Sequence, residues 1–504
     1  MISNQTEQVY EKFSHPRRLH PTAIIFALFT TIKEMIFGIG IGLIFTLKES
    51  VFFFLIVGGI FLACIIIFSI LSWLRFTYYV EDDELRIEQG ILNRKKRYIS
   101  INRIHKIDLT ANVIHRLFRL VKVQIDTASN SGDAEVSLSA IRMDDATDLR
   151  KLLQHNKEQE ETDNTIKAEQ SSESISWKRL FIAGSTSGSA GVIVIALLTV
   201  FSQIEELIPR YLFNVAYDWV ISIGVYALAI LLLLIAILFW IFGIAGTMIR
   251  YGNFTIEKRE KELFIRRGLL ETKELTIPYD RIQAIGIEQS PIRQPFGFVT
   301  VFAVVAGGSF DRLETFPILF PIIHKSEVEE FINKFVPNYD YSLKKQLKPL
   351  PRRSLIFYIA KSFIAPLFVL VASLIFIPTL YWLALVVLIF NLILSMFQYK
   401  DLGHYISDEN FVLQKRTLQK VTLFTEKKRI QAFEKRVHKI QAFRQVASVT
   451  ISLIGMQGLG THYTLKHVRD EDANLMADSF SYRKEKQKEG SLGKVDYNEL
   501  NDPL

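Results

Sequence analysis

The sequence predicts an integral membrane protein built of α-helical hairpins, each carrying one copy of a strand-rich soluble domain. Three observations predict this class. Long apolar runs without charge recur along the 504 residues, of which 49% are hydrophobic. The runs come in pairs. A five-residue motif is written three times in one register.

About 20 apolar residues, rising about 1.5 Å each, cross the hydrocarbon layer of a bilayer. Six runs approach this length, near 22–47, 51–74, 180–201, 220–249, 354–377 and 380–398. Only Lys48-Glu49-Ser50 separates the first two, the last two divide near Pro378, and Ser202–Trp219 connects the middle pair. Each pair reads as a helical hairpin, which places the amino terminus and every soluble segment on one side. Arg17, Arg18, Arg75, Lys178, Arg179, Arg250, Arg352, Arg353 and Lys400 flank the spans on that side. By the positive-inside rule that side is the cytoplasm. The polar first 20 residues and the length of the first apolar run do not fit a cleavable signal peptide. A single cysteine, Cys64, excludes an internal disulfide and any multi-cysteine metal site.

The repeated motif is Arg103-Ile104-His105-Lys106-Ile107, Arg281-Ile282-Gln283-Ala284-Ile285 and Arg429-Ile430-Gln431-Ala432-Phe433. Counted from each arginine without gaps, position −18 holds Leu85, Leu263 and Phe411. Position +11 holds Ile114, Ile292 and Ile440, and position +20 holds Val123, Val301 and Val449. Gly90 matches Gly268, and Phe76-Thr77 matches Phe254-Thr255. A register this long marks a repeated domain. Apolar and polar residues alternate in Leu85-Arg86-Ile87-Glu88 and Leu263-Phe264-Ile265-Arg266, as half-buried strands require. Val121–Ile125, Val299–Val305 and Val449–Leu453 predict later strands. Helical patterns at Ala146–Leu153, Ser326–Phe335 and Asp472–Phe480 close the copies. Ser326 with Glu329 predicts a capping box.

The expected division is a cytoplasmic amino terminus (1–21), hairpin 1 (22–74), domain 1 (75–157), a polar linker (158–176) and hairpin 2 (177–249). Domain 2 (250–340), hairpin 3 (341–399), domain 3 (400–485) and a polar tail (486–504) follow.

Ile277–Ile285, followed by Gln289-Ser290, Arg293 and Phe296-Gly297, resembles the bacterial pleckstrin-homology-like domain family of the YdbS/YdbT type. Arg18-Leu19-His20-Pro21 is similar to that family too, and the three-copy layout resembles its longer, YdbT-like members. The third copy departs, with Thr425 in place of the isoleucine and no Phe-Gly. The resemblance implies three PH-like β-barrel domains, each closed by a C-terminal helix, on six spans in three hairpins. It implies no reaction, because fold does not dictate function. It also implies a partner, a smaller single-repeat membrane protein of the YdbS type.

Arg103, Arg281 and Arg429 are the repeated polar feature. A guanidinium fork suits a phosphate or a carboxylate; the alternative is an ion pair that fixes a strand or turn. Residues 414–444 hold ten Lys or Arg against Glu426 and Glu434, a net of +8. Lys427, Lys428, Lys435, Arg436 and Lys439 are the candidates there for anionic inner-leaflet lipid, against a plain solvated face. A membrane-tethered segment meets lipid before nucleic acid, so no nucleic-acid partner is expected. Lys33, Glu34, Lys361 and Asn391 interrupt the spans. They read as helix-bridging or snorkelling groups, or else as the ion sites of a transporter.

No paired carboxylates, Ser-His-Asp set, metal-ligand pattern or phosphate-loop lysine spacing occurs, so the expectation is a non-enzymatic protein without cofactors. The reading is a cytoplasmic-membrane protein whose domains form a protein-assembly or lipid-binding surface in envelope maintenance, including tolerance of membrane-active antimicrobial peptides. The alternative is a transporter using Lys33, Glu34 and Lys361.

Overall fold

Alternating side chains become strand wherever their apolar face finds a second sheet to cover it. The computed structural model describes residues 10–31, 51–91, 93–127, 136–158, 171–188, 191, 199, 210–307, 316–376, 381–455 and 460–480. The chain divides into two compact units, Met1–Ile277 and Pro278–Leu504.

In the first unit, β1 (Thr77–Glu81), β2 (Glu84–Gln89) and β3 (Lys95–Ser100) form an antiparallel sheet. A 3-10 turn, Ile101–Arg103, leads to β4 (Ile104–Ala111), a short helix Val113–Leu117, β5 (Leu120–Thr127) and β6 (Val136–Arg142). Val80, Leu85 and Ile87 of the first sheet share one core with Ile107, Val123 and Leu138 of the second. Helix Met143–Glu158 closes it with Leu149 and Leu153. Gly90, in the β2–β3 turn, has φ +107°, and so does its counterpart Gly268. A side chain at either would meet a turn carbonyl, which is why both copies keep glycine.

The second repeat then continues this sheet instead of starting its own. β7 (Ser172–Ser174), β8 (Thr255–Lys258), β9 (Glu262–Arg267) and β10 (Thr272–Pro278) complete seven strands in the order β6-β5-β4-β10-β9-β8-β7. The joint is β4 on β10, with Ala111 opposite Thr272 and Thr110 opposite Lys273.

The second unit repeats the arrangement. It contains β11 (Ile282–Gln289), β12 (Phe298–Val305), β13 (Ile318–His324), β14 (Lys348–Pro349), β15 (Gly403–Ile406), β16 (Asn410–Arg416) and β17 (Lys420–Glu426). Their order is β13-β12-β11-β17-β16-β15-β14. Here β11 of the second repeat pairs with β17 of the third from Ala284↔Thr425 to Gln289↔Lys420. Counted from the motif arginines, positions +7 and +8 oppose −8 and −9 at both joints. Then β18 (Ile430–Arg436), helix Lys439–Phe443, β19 (Val446–Ile454), β20 (Gly460–Arg469) and helix Asp470–Phe480 complete the third copy.

The predicted order of strands and closing helix is thus present, but the capping box at Ser326 is not. Helix Val328–Phe335 has Glu327 at its N-cap with no side-chain cap bond. His324 Nδ1 takes the Ser326 hydroxyl at 2.8 Å, which removes it from the helix end.

Among the described residues, four helices are long and apolar enough to cross a membrane: Ile56–Arg75, Tyr226–Tyr251, Arg352–Phe376 and Tyr381–Asp401. The expected span at 22–47 lies mostly outside the described residues and that at 180–201 lies half outside them; Lys33 and Glu34 also fall outside. Helix Arg210–Tyr251 runs 42 residues, about 63 Å at about 1.5 Å per residue. It therefore takes in half of the predicted connector, which contains no proline or glycine beyond Pro209 to stop it.

Gly286 sits in the middle of β11, and a Cβ there would fall 2.0 Å from the Phe302 ring. Gly286→Val is expected to destabilise the second unit by about 2–3 kcal/mol. The check is thermal denaturation of the full chain in detergent; an unchanged Tm would contradict this close packing.

Candidate functional site

The feet of the hairpins are tied to the domains by bonds that fix where membrane ends and sheet begins. In the first repeat Trp73 Nε1 donates to the Leu19 carbonyl at 2.8 Å. The His115 ring stacks on Phe26 with centroids 3.8 Å apart. In the third repeat Phe357 stacks on His467 at 4.3 Å, and Ser354 Oγ donates to the His467 carbonyl. Asp401, at the end of helix Tyr381–Asp401, pairs with Arg416 at 2.5 Å and Lys420 at 2.7 Å.

The motif arginines occupy the same 3-10 turn in each copy, yet their surroundings differ. Arg429 donates from Nη1 to the Asp280 carbonyl at 2.7 Å and lies 3.6 Å from Glu426. It therefore braces the joint between the second and third repeats. The Arg281 carbonyl accepts from Ala306 N at 2.9 Å. Arg103 is exposed, with no polar partner among the described residues.

The cation-rich stretch does not form one basic face. Lys415 is packed 4.8 Å from the Tyr463 ring centroid, and burial pushes its amine down. Arg416 and Lys420 are held by Asp401. Lys435 pairs with Asp470 at 2.6 Å, Arg436 with Glu434 at 2.5 Å and Lys428 with Glu426 at 3.0 Å. Lys427 lies 5.5 Å from the Phe480 ring centroid. Lys439 remains exposed, on the short helix Lys439–Phe443.

That short helix belongs to a recurring element. From +10 to +16 each copy presents large apolar residues outward: Leu117 at 78% exposure, Phe296 at 60% and Phe443 at 85%. Position +16 is left-handed in all three, with φ 55° at Arg119, 71° at Gly297 and 53° at Gln445. Its carbonyl accepts from Met143, Lys325 and Asp470 respectively, at or just before the closing helix. The Phe-Gly pair of the second copy is this position. The first and third copies hold it without glycine, a strained backbone of the kind that concentrates at functional sites.

In the first unit this element borders a cavity of about 660 Å³ at the foot of the first hairpin. Arg116, Arg119, Arg142 and Arg266 line it with His20 and Phe118, against Asp144 and Glu274. Arg116 donates to the Leu269 carbonyl, and Glu274 is occupied by Arg150 at 3.4 Å and Arg266 at 4.0 Å. Arg119 and Arg142 have no carboxylate partner among the described residues. Sequence reading gave Arg119, Arg142 and Arg266 no role. The signal was available for Arg119, which shares the +16 register with Gly297. Arg142 and Arg266 are brought together only by the joint between repeats.

Three matches to the family described as bacterial PH domain cover residues 32–157, 190–335 and 360–484, one for each repeat. The chain belongs to the bacterial PH domain family. It is similar to the UPF0699 transmembrane protein YdbT of Bacillus subtilis (strain 168), 35% identical over 502 residues, covering 94% of this chain and 99% of the relative. No solved structure matches. The chain is therefore a membrane protein with three bacterial PH domains.

The third PH domain carries two histidines held neutral. Burial lowers His404 to about 4, and Asp472, 3.8 Å from its Nε2, is too distant to offset it. Burial, then the charges of Lys466 and Lys361, lower His467 to about 4. Both fold-state values lie below the ordinary histidine value of about 6.5. Their stabilisation is therefore complete above about pH 6.5 and is lost as pH falls from there towards 4. Thermal melts of the full chain between pH 7.5 and 4 are expected to show the third domain losing stability first. His404→Leu should remove part of that acid sensitivity; the same pH slope in the variant would contradict the assignment.

The brace at the second joint is worth about 1 kcal/mol after allowing for its partial exposure. Arg429→Ala should lower Tm accordingly, whereas Lys428→Ala, 70% exposed at its side chain, should leave it unmoved. Equal effects of the two would contradict the bracing role.

Proposed function

We propose that this is a non-enzymatic protein of the cytoplasmic membrane whose PH domains face the cytoplasm and engage anionic phospholipid at the inner leaflet. The observation that carries the reading is the arginine-lined cavity beside Leu117 and Phe118 at the foot of the first hairpin. Guanidinium forks match phosphate geometry, and an exposed apolar tip next to a membrane span lies at the depth of headgroups and upper acyl chains. The exposed tips of the other two repeats, with Lys439 beside Phe443, support the same surface reading.

In this reading the chain makes six spans in three hairpins, and each PH domain is a barrel-like body closed by its terminal helix. The division into domains at 75–157, 250–340 and 400–485 follows the repeats. The role is envelope maintenance, extending to tolerance of membrane-active antimicrobial peptides, together with a smaller single-repeat PH membrane protein of the YdbS type. Loss of tolerance in a deletion strain is the expected phenotype, and unchanged killing curves would remove that part. A transporter gains no support from Lys361 and Asn391. Lys361 lies near the domain-side end of its helix, close enough to act on His467, and Asn391 donates to its own helix at Val387 O, 2.9 Å away.

The test uses the full chain in detergent and measures binding of short-chain phosphatidylglycerol, phosphatidylcholine and inorganic phosphate. Arg119→Gly keeps the left-handed turn, since Gly297 serves the second repeat there. Together with Arg142→Gln it should weaken phosphatidylglycerol binding about tenfold, near 1.4 kcal/mol, and flatten its salt dependence. Equal affinity for the two lipids, or no effect of the double variant, would overturn the lipid reading. Phosphate binding alone would assign the cavity to a soluble anion.

A further inference from the structure

Three repeats make two internal joints and, among the described residues, leave two half-sheets without a neighbour. The first is β1-β2-β3, open at β3, and the last is β18-β19-β20, open at β18. These two edges are of opposite kinds. β3 is the counterpart of β10 and β17, and β18 is the counterpart of β4 and β11, the strands that pair at the joints. An open edge presents unpaired N–H and C=O groups and is a ready template for another strand.

Exposure marks what is missing. Position −5 from the motif arginine is closed at both joints, with Phe424 at 2% and Thr276 at 6%, but Tyr98 at the same position of the first repeat is 57% exposed. Position +4 is Ile107 or Ile285, each buried at 2% or less, whereas Phe433 is only partly buried. At the second joint Arg429 also reaches the Asp280 carbonyl across the paired strands.

We infer that β3 of one molecule docks antiparallel on β18 of a second copy, in the register of the internal joints. That register sets Ala432 opposite Ile99, Phe433 opposite Tyr98, Glu434 opposite Arg97, Lys435 opposite Lys96 and Arg436 opposite Lys95. The first two pairs are apolar or aromatic and the third is of opposite charge, all stabilising across strands. The last two bring cations together. Three of those four already have a carboxylate: Lys96 has Glu88 at 2.8 Å, Lys435 has Asp470 at 2.6 Å and Arg436 has Glu434 at 2.5 Å. Arg103 of the docked copy then meets the Lys428 carbonyl, as Arg429 meets that of Asp280. The joint is heterologous, so each copy offers one edge and accepts at the other. It stands independently of the lipid reading.

The experiment is disulfide trapping in membranes with the full chain in a Cys64→Ala background, which removes the sole native cysteine. Two differently tagged copies are co-expressed, one with Tyr98→Cys and one with Phe433→Cys. A second in-register pair, Lys95→Cys with Arg436→Cys, uses exposed positions that leave the fold intact. Both pairs should give a heterodimer under mild oxidation, and the mismatched pair Tyr98→Cys with Arg436→Cys should not. Lys95→Glu, placed opposite Arg436, should raise the Tyr98–Phe433 yield about two- to fivefold. Homodimers or mismatched pairs forming as readily would mean random collision and overturn the inference. Trapping of a different chain, or of nothing, would overturn the second copy as occupant.

Discussion

Six consecutive residue pairs between β11 and β17, from Ala284↔Thr425 to Gln289↔Lys420, hold the second repeat to the third. The ladder needs no particular side chains, only two strands of the right direction with their apolar faces on a common core. Ala284, Phe302 and Val304 of one copy share a core with Phe411, Leu413 and Leu423 of the next. Thr425 adds a buried hydroxyl bond to the Gln283 carbonyl at 2.8 Å. Most of what else is seen depends on this arrangement. The Arg429 brace exists because the joint brings Asp280 to it. The arginine-lined cavity exists because the equivalent joint brings Arg266 and Glu274 beside Arg116, Arg119 and Arg142.

The same joint explains why the motif recurs with unequal side-chain partners. Its turn is required in every copy to pass from one half-sheet to the next. At the second joint Arg429 reaches across to the Asp280 carbonyl of the neighbouring repeat, whereas Arg103, in the first copy, has no polar partner among the described residues. The fold thus gives the same arginine-bearing turn different surroundings in each copy, a common property of proteins built from repeats in contact with their neighbours.

Much of the fold was legible in the chain. The period-2 alternation of Leu85-Arg86-Ile87-Glu88 and the shared Gly90 and Gly268 predicted strands and a turn, because both are local demands of backbone geometry. The closing helices were legible for the same reason. What remained hidden was pairing between copies, since a strand's sequence says which face is buried but not which neighbour supplies the hydrogen bonds. The short helices at Val113–Leu117 and Lys439–Phe443 were also missed, at five residues each too brief for a periodic signal. The candidate site suffered most. A count of charges over 414–444 suggested one basic surface, but Arg416 is buried against Asp401, Lys415 packs on Tyr463 from the opposite face of the strand, and Lys435 takes a carboxylate from the closing helix. Arg142 and Arg266 lie over a hundred residues apart, and only the shared sheet makes them neighbours.

Hydrogen–deuterium exchange of the full chain, held as single molecules in detergent at low protein concentration, tests the shared sheet most directly. If β17 is an interior strand, its amides at 420–426 exchange as slowly as those of β12, while the outward-facing amides of β18 at 430–436 exchange far faster. Exchange of β17 at the rate of β18 would mean that the repeats do not share a sheet and would contradict the account.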